Sequence, residues 1–152
     1  MSAAERVFVG LGANLGDAAA TIAAAMEALD ALPGTRCVAR SSLYRSAPVD
    51  AQGPDYVNAV TELRSALEPE SLLAALHSIE ARFARERPYP NAPRTLDLDL
   101  LLFGQRRIAT PTLTLPHPRM HQRAFVLLPL AELAPELVAE IPAGQRVEKL
   151  AP

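Results

Sequence analysis

The chain has 152 residues, 49% hydrophobic and 21% charged, enough to bury a core as one soluble domain spanning 1–152. Its formal net charge of −2 argues against bulk nucleic-acid binding, which needs a basic surface, and its apolar runs are too short to cross a bilayer. The chain does not open on a basic stretch followed by an apolar one, so neither a secretory signal nor a membrane span is expected; Cys37, its single cysteine, excludes an internal disulfide or a cysteine-built zinc cluster and fits a reducing cytoplasm.

In chain order, RVFVGLGANLG predicts a strand over Arg6 to Leu11 that runs into a glycine turn. DAAATIAAAMEALDAL predicts a helix with Asp17 as N-cap and Ile22, Met26 and Leu29 on one face, stopped by Pro33-Gly34. TRCVARSSLYR and DYVNAVTELRSAL read as two strands joined by the loop SAPVDAQGP. PESLLAALHSIEARFARE has Leu72, Leu76, Ile79 and Phe83 at helical spacing behind Pro69. The proline-rich loop RPYPNAP leads into the strand of TLDLDLLLF, then a turn at Gly104-Gln105, a short strand in PTLTLP and a last helix in QRAFVLLPLAELAP. The order strand, helix, strand, strand, helix, strand predicts an α+β fold of ferredoxin-like kind, a mainly antiparallel sheet with helices packed on it. The tail after Leu137 carries no usable motif.

The acidic pair in TLDLDLL carries the chemistry. A period of two sends Leu96, Leu98 and Leu100 to one face and Asp97 and Asp99 to the other. On that face the two residues lie roughly 6.5–7 Å apart by Cα, within reach of a shared ion or a pair of ions. Like charges so close repel unless a cation sits between them, and aspartate is a poor strand former, so an ordinary solvent-facing edge explains the pattern less well. Hard oxygen ligands without His or Cys favour Mg²⁺, which binds through one or two carboxylates plus substrate phosphates.

Cations suited to phosphate surround the pair. Arg82, Arg85 and Arg87 close the second helix, Arg94 precedes the acids, and Arg119 and Arg123 follow them. Fourteen of the 15 basic residues are Arg and Lys149 is the one lysine, so a P-loop or Schiff-base lysine is not expected, whereas guanidinium forks bind phosphate bidentately. GLGANLG does not keep the dinucleotide fingerprint, since its third glycine falls one residue late from Gly10; a tight turn feeding the first helix is its expected role. His117, between Pro116 and Pro118, reads as a hydrogen-bond donor to phosphate. His121 has no accompanying zinc-ligand pattern, His77 falls on the polar side of its helix, and Cys37 reads as core.

Taken together, GLGANLG, YRSAP, PDYVNAV, IEARFARER, PRTLDLDLLLFG, LPHPRM and RAFVLLPLAELAP resemble the ordered motif set of the 6-hydroxymethyl-7,8-dihydropterin pyrophosphokinase family, over about Val7 to Pro135. The resemblance implies the ferredoxin-like fold and transfer of the terminal diphosphate of ATP to the pterin hydroxymethyl group, with release of AMP, in folate biosynthesis. It implies that Asp97 and Asp99 hold two Mg²⁺ ions. Arg85 and Arg94 would stabilise charge on the transferring group, and Glu80, Arg87, Arg94, His117 and Arg123 would bind ATP, Glu80 from an acidic position at the floor of the site. Tyr56 and Phe125 would sandwich the pterin, and Asn58 would read its edge together with backbone groups near Ser46 and Val49. ATP and the pterin are the implied partners of a chain expected to act as a cytoplasmic monomer. The chain departs from the family pattern in having no tryptophan, Tyr89 standing in the shortened loop, and in His77 where the family often has Gln.

Two other classes stay open on sequence: a non-catalytic ferredoxin-like module with the acids as surface charge, and another Mg²⁺-dependent nucleotide enzyme on the same scaffold. The first needs no metal; the second would release a different nucleotide product.

Overall fold

A computed structural model describes residues 4–14, 16–47, 55–85 and 96–151, the side chain of Arg85 excepted. Strand β1 (Glu5–Ala13) leads to helix α1 (Ala18–Asp30), whose N-cap Asp17 accepts the Ala20 N–H at 3.1 Å. Strands β2 (Thr35–Arg40), β3 (Tyr44–Ser46) and β4 (Tyr56–Ser65) follow, then helix α2 (Pro69–Arg85) and strand β5 (Asp97–Phe103). A small hairpin, β6 (Ile108–Ala109) and β7 (Thr114–Leu115), precedes helix α3 (Ala124–Leu133), and β8 (Val147–Lys149) ends the series. Strands β5, β1, β4, β3 and β8 lie side by side in that order, with β2 also paired to β4, and each pairing is antiparallel. The α+β, ferredoxin-like expectation holds.

The alternation of each strand sorts the core into two layers. Val7, Val9 and Leu11 of β1, Ala59 and Leu63 of β4, and Leu98, Leu100 and Phe103 of β5 meet Ile22, Met26 and Leu29 of α1 and Leu72, Leu76 and Ile79 of α2. Phe8, Val60 and Leu101 on the opposite face meet Val126, Leu127 and Leu130 of α3. Each such buried leucine contributes about 1.5–3 kcal/mol of transfer free energy. Helix α3 runs for 10 residues, so it covers only part of its face and leaves the rest of the sheet, toward Gly12 and Asp97, as the floor of a cavity.

Four local expectations need correction. The predicted second strand is two, because after Arg40 the chain leaves the ladder at Ser41, whose Oγ accepts the Val60 N–H at 2.9 Å, and re-enters it at Tyr44. Gly10 lies in the strand as expected, but β1 runs on to Ala13 and so takes in Gly12 as well; Gly16, with φ +61°, makes the turn. The first strand of the hairpin was not expected, and neither was β8, which pairs Val147 with Ser46. Both are too short to show a period.

Candidate active site

Strand β5 is an edge strand whose face carries Asp97 and Asp99 while Leu98 and Leu100, 5% and 4% exposed, fill the core behind. The alternation anticipated from sequence is therefore present. It ends at Leu101, where the register against β1 slips by one residue between Phe8 and Val9. Such a bulge frees backbone groups and re-aims side chains. Here the Leu101 carbonyl accepts the His117 N–H at 2.9 Å, docking the His117 segment beside Asp99.

The cross-strand partners of the acids are Gly12, opposite Asp97, and Gly10, opposite Asp99. A side chain at Gly12 would stand beside Asp97, and glycine leaves that part of the floor bare, whereas at Gly10 a Cβ would meet the Leu101 side chain at 3.5 Å. On the far side of β1, Gly12 faces Asn58 of β4, so Asp97, Gly12 and Asn58 form one row across three strands. With adjacent strands about 4.8 Å apart, acid and amide lie roughly 9–10 Å apart at the backbone. A Cβ at Gly12 would stand 3.4 Å from Asn58 Oδ1.

Asn58, 5% exposed, donates from Nδ2 to Ser46 Oγ at 2.7 Å. That bond fixes the amide, leaving Oδ1 turned toward Gly12 and the cavity. Tyr56 on β4 and Phe125 in the first turn of α3 also line the cavity, whose volume is about 1150 Å³.

Cationic and polar groups approach Asp99 from the α3 side. His117 Nε2 lies 3.9 Å from Asp99 Oδ1, and Arg123 Nη1 lies 3.9 Å from Asp99 Oδ2. Both separations exceed a hydrogen bond, so neither group closes off the carboxylate. The Arg123 guanidinium carbon also sits 5.5 Å from the centre of the Phe125 ring, within cation–π range. Burial pushes the His117 imidazole below its usual value; Asp99 opposes this, and Arg123 and Arg119 add to it. Its Nδ1 accepts the Arg119 N–H at 3.2 Å, so the neutral ring presents an Nε2–H donor toward Asp99.

Glu80, on the last turns of α2, accepts the Leu98 N–H at 2.7 Å through Oε2. Leu98 is the residue between the acids, so Glu80 holds the outer edge of the platform by its backbone while also lining the cavity. The donor set of the acid pair is all oxygen, half-buried and open to the cavity, which suits Mg²⁺. Among the described residues no group of three or more His, Cys, Asp and Glu could hold a metal alone, as expected for an ion whose remaining ligands are substrate phosphates and water.

Of the residues anticipated from sequence, Ser46, Tyr56, Asn58, Glu80, Asp97, Asp99, Arg123 and Phe125 all line this cavity, and His117 flanks it through Asp99. Arg85 ends α2, while Val49, Arg87, Tyr89 and Arg94 lie outside the described residues. His77, expected on the polar side of its helix and at a position where the family often has Gln, is part of the lining, as are Arg119 and Gln122. Sequence reasoning missed the floor glycines and the stretch Gly144 to Val147, which supplies a further wall. The glycines carried a signal, two residues apart on one strand face; the tail carried none. Cys37, half-buried against the core, has its Sγ 3.0 Å from Thr61 Oγ1.

The sequence model of the 7,8-dihydro-6-hydroxymethylpterin-pyrophosphokinase (HPPK) family matches residues 8–135. The chain belongs to the HPPK family. It is 47% identical over 147 residues to the 2-amino-4-hydroxy-6-hydroxymethyldihydropteridine pyrophosphokinase of Pseudomonas aeruginosa, covering 96% of this chain and 90% of that one. The protein of the same name from Methylorubrum extorquens is 44% identical over 134 residues, 88% of this chain and 85% of the relative. Among solved structures, the HPPK-DHPS protein of Plasmodium falciparum superposes with a TM-score of 0.75 at 14% identity, over 95% of this chain and 44% of that chain, a likeness of fold. Among the described residues, each of the motifs GLGANLG, YRSAP, PDYVNAV, IEARFARER, PRTLDLDLLLFG, LPHPRM and RAFVLLPLAELAP contributes at least one residue to the cavity lining, such as Gly12, Ser46, Asn58, Glu80, Asp97, Arg119 and Phe125. No described helix is long and apolar enough to cross a membrane.

Proposed function

We propose that the chain catalyses Mg²⁺-dependent transfer of diphosphate from ATP to the hydroxymethyl group of 6-hydroxymethyl-7,8-dihydropterin, giving AMP and the pterin diphosphate in folate biosynthesis. The observation that carries this reading is the row Asp97, Gly12, Asn58. It sets an acidic platform and a buried, oriented amide on one floor, with a bare glycine between them where a diphosphate has room. Membership of the HPPK family supports the same reaction.

The pterin ring would lie between Tyr56 and Phe125, stacked on their faces. Asn58, held by Ser46, would accept a ring N–H through Oδ1, with backbone groups near Ser46 and Val49 completing the edge. A site whose buried polar groups are pre-paired in this way rejects analogues that leave them unsatisfied. Asp97 and Asp99 would hold two Mg²⁺ ions, which when bound neutralise phosphate charge and orient the attacking hydroxyl.

His117 and Arg123 would bind ATP phosphates, His117 as a neutral Nε2–H donor and Arg123 as a fork steadied against Phe125. Arg87 would join them on ATP, and Arg85 and Arg94 would face the transferring group. Glu80 would keep Asp97 and Asp99 in register from behind. The hydroxymethyl oxygen attacks the β-phosphorus and gives its proton to water, the bond from the β-phosphorus to the α–β bridging oxygen breaks, and AMP departs with that oxygen. Such chemistry asks for positioning and for charge where charge develops, with little covalent work by side chains. The reading takes the chain as one cytoplasmic, monomeric catalytic domain.

Incubation with Mg²⁺, ATP and the pterin tests the reading. AMP and the pterin diphosphate in equal amounts are expected. Stoichiometric ADP with a pterin monophosphate would replace it with an ordinary kinase, and no nucleotide product would favour a binding module.

A further inference from the structure

Helix α3 begins at a residue that cannot cap it. Position 123 is the N-cap and makes no side-chain cap bond, because a guanidinium has donors only; it is turned instead to Asp99 and Phe125. Ser, Thr, Asp or Asn would ordinarily stand there and satisfy a first-turn N–H. The missing acceptor comes from the C-terminal tail: Gln145 Oε1 accepts the Ala124 N–H at 2.9 Å, and Gln145 Nε2 donates to the Gln122 carbonyl at 2.8 Å.

These two bonds act on the peptide groups either side of Arg123. A primary amide presents the same donor and acceptor as a peptide, so Gln145 grips this turn as a neighbouring strand would. The grip falls where the backbone has most freedom to redirect the site, since Arg123 is extended, at φ −122° and ψ 105°, between the 3-10 turn Met120–Gln122 and α3. A rotation there would swing the guanidinium from Asp99 and the Phe125 ring from the cavity together.

Gln145 is itself held on both sides. Gly144, at φ +85°, makes a left-handed bend that a side chain would strain, and β8 pairs Val147 with Ser46, the residue that orients Asn58. The tail thus braces one wall of the cavity against the other. Gln145 is exposed and contributes nothing to either core layer, so a purely structural role for its two bonds is a weak explanation. It also lies beyond the stretch matched by the HPPK family.

We propose that Gln145 is a positioning residue for the reaction, setting Arg123 and Phe125 by clamping the backbone on both sides of Arg123. The proposal rests on the pyrophosphokinase reading for its catalytic consequence, and on geometry alone for the clamp. In Gln145→Ala, the Ala124 amide is expected to exchange with solvent at least about tenfold faster, while amides of β1 and β4 keep their rates. The Gln145→Glu variant retains the acceptor and is expected to keep Ala124 protected.

Turnover supplies the second readout. A misplacement of about 1 Å can cost up to about a hundredfold, so kcat/KM of Gln145→Ala is expected to fall about tenfold to a hundredfold, while the melting temperature falls only by the roughly 2–8 °C that loss of a helix cap brings. If Gln145 acts by setting Arg123 and Phe125, the losses of Gln145→Ala and Arg123→Ala are clearly less than additive in the double variant. Unchanged Ala124 exchange, unchanged kcat/KM, or additive losses in the double variant would each overturn the proposal. A wild-type chain lacking pyrophosphokinase turnover would instead remove the reading of function, and Ala124 exchange, which needs no substrate, would still decide whether the clamp exists.

Discussion

Replacing Asp99 by Asn changes one charge and almost no volume, so it separates the electrostatics of the acid pair from its packing. In the folded chain two opposing interactions disappear. Repulsion from Asp97, across roughly 7 Å, is worth between about 0.6 kcal/mol in water and about 2.4 kcal/mol at an effective dielectric of 20. Attraction to Arg123 at 3.9 Å acts between side chains 28% and 42% exposed, and pairs so exposed contribute at most about 1 kcal/mol. The repulsion is the larger across most of these ranges, so stability should hold or rise, by at most about 2 kcal/mol, a shift of no more than roughly 4–8 °C in melting temperature for a chain of this size. Turnover should fall by at least about a thousandfold, since a metal ligand is lost at the reacting phosphates. Thermal melts and AMP release at saturating Mg²⁺ measure both. A folded Asp99→Asn variant with near-normal turnover would refute the platform, and a variant that melted far below the wild type would mean that Asp99 is structural.

Asn58→Leu removes the amide that Ser46 holds, stranding a hydroxyl 5% exposed; stability should fall by about 1–3 kcal/mol, and KM should rise about tenfold or more for the pterin while KM for ATP stays put. Glu132 joins α3 to the sheet by accepting the Tyr44 hydroxyl and, at 2.9 Å, the Ser42 N–H. Burial raises its carboxyl, but these bonds outweigh burial and hold it below its ordinary value, so its contribution is present above the usual carboxylate range and is lost as pH falls through the depressed value. Glu132→Gln should therefore melt below the wild type at neutral pH by a margin that narrows in acid, as parallel melts at pH 7 and pH 3 would show.

What could be read from sequence follows the physics of periodicity. The alternation in TLDLDLL announced both the buried leucines and the shared face of Asp97 and Asp99, because a strand admits no other arrangement of those side chains. Helix α2 was legible through Leu72, Leu76 and Ile79, and α1 through its cap at Asp17. The bulge at Leu101 was hidden, since it is set by the register of β1 against β5 and not by either strand alone. Gly12 looked like a turn for the same reason; only pairing shows that it and Gly10 each stand opposite an aspartate. Gln145 was least legible. Its two bonds join residues more than twenty positions away, and no local pattern marks a glutamine that caps someone else's helix.

The central claim is that Asp97 and Asp99 hold the metal ions over which ATP and the pterin meet. Crystals grown with Mn²⁺ in place of Mg²⁺, a non-hydrolysable ATP analogue and the pterin test it most directly, because Mn²⁺ is located by its anomalous scattering. Two peaks are expected, each within about 2.0–2.2 Å of a carboxylate oxygen of Asp97 or Asp99 and of phosphate oxygens, with the pterin between Tyr56 and Phe125. Nucleotide bound with its metal away from both aspartates would contradict it.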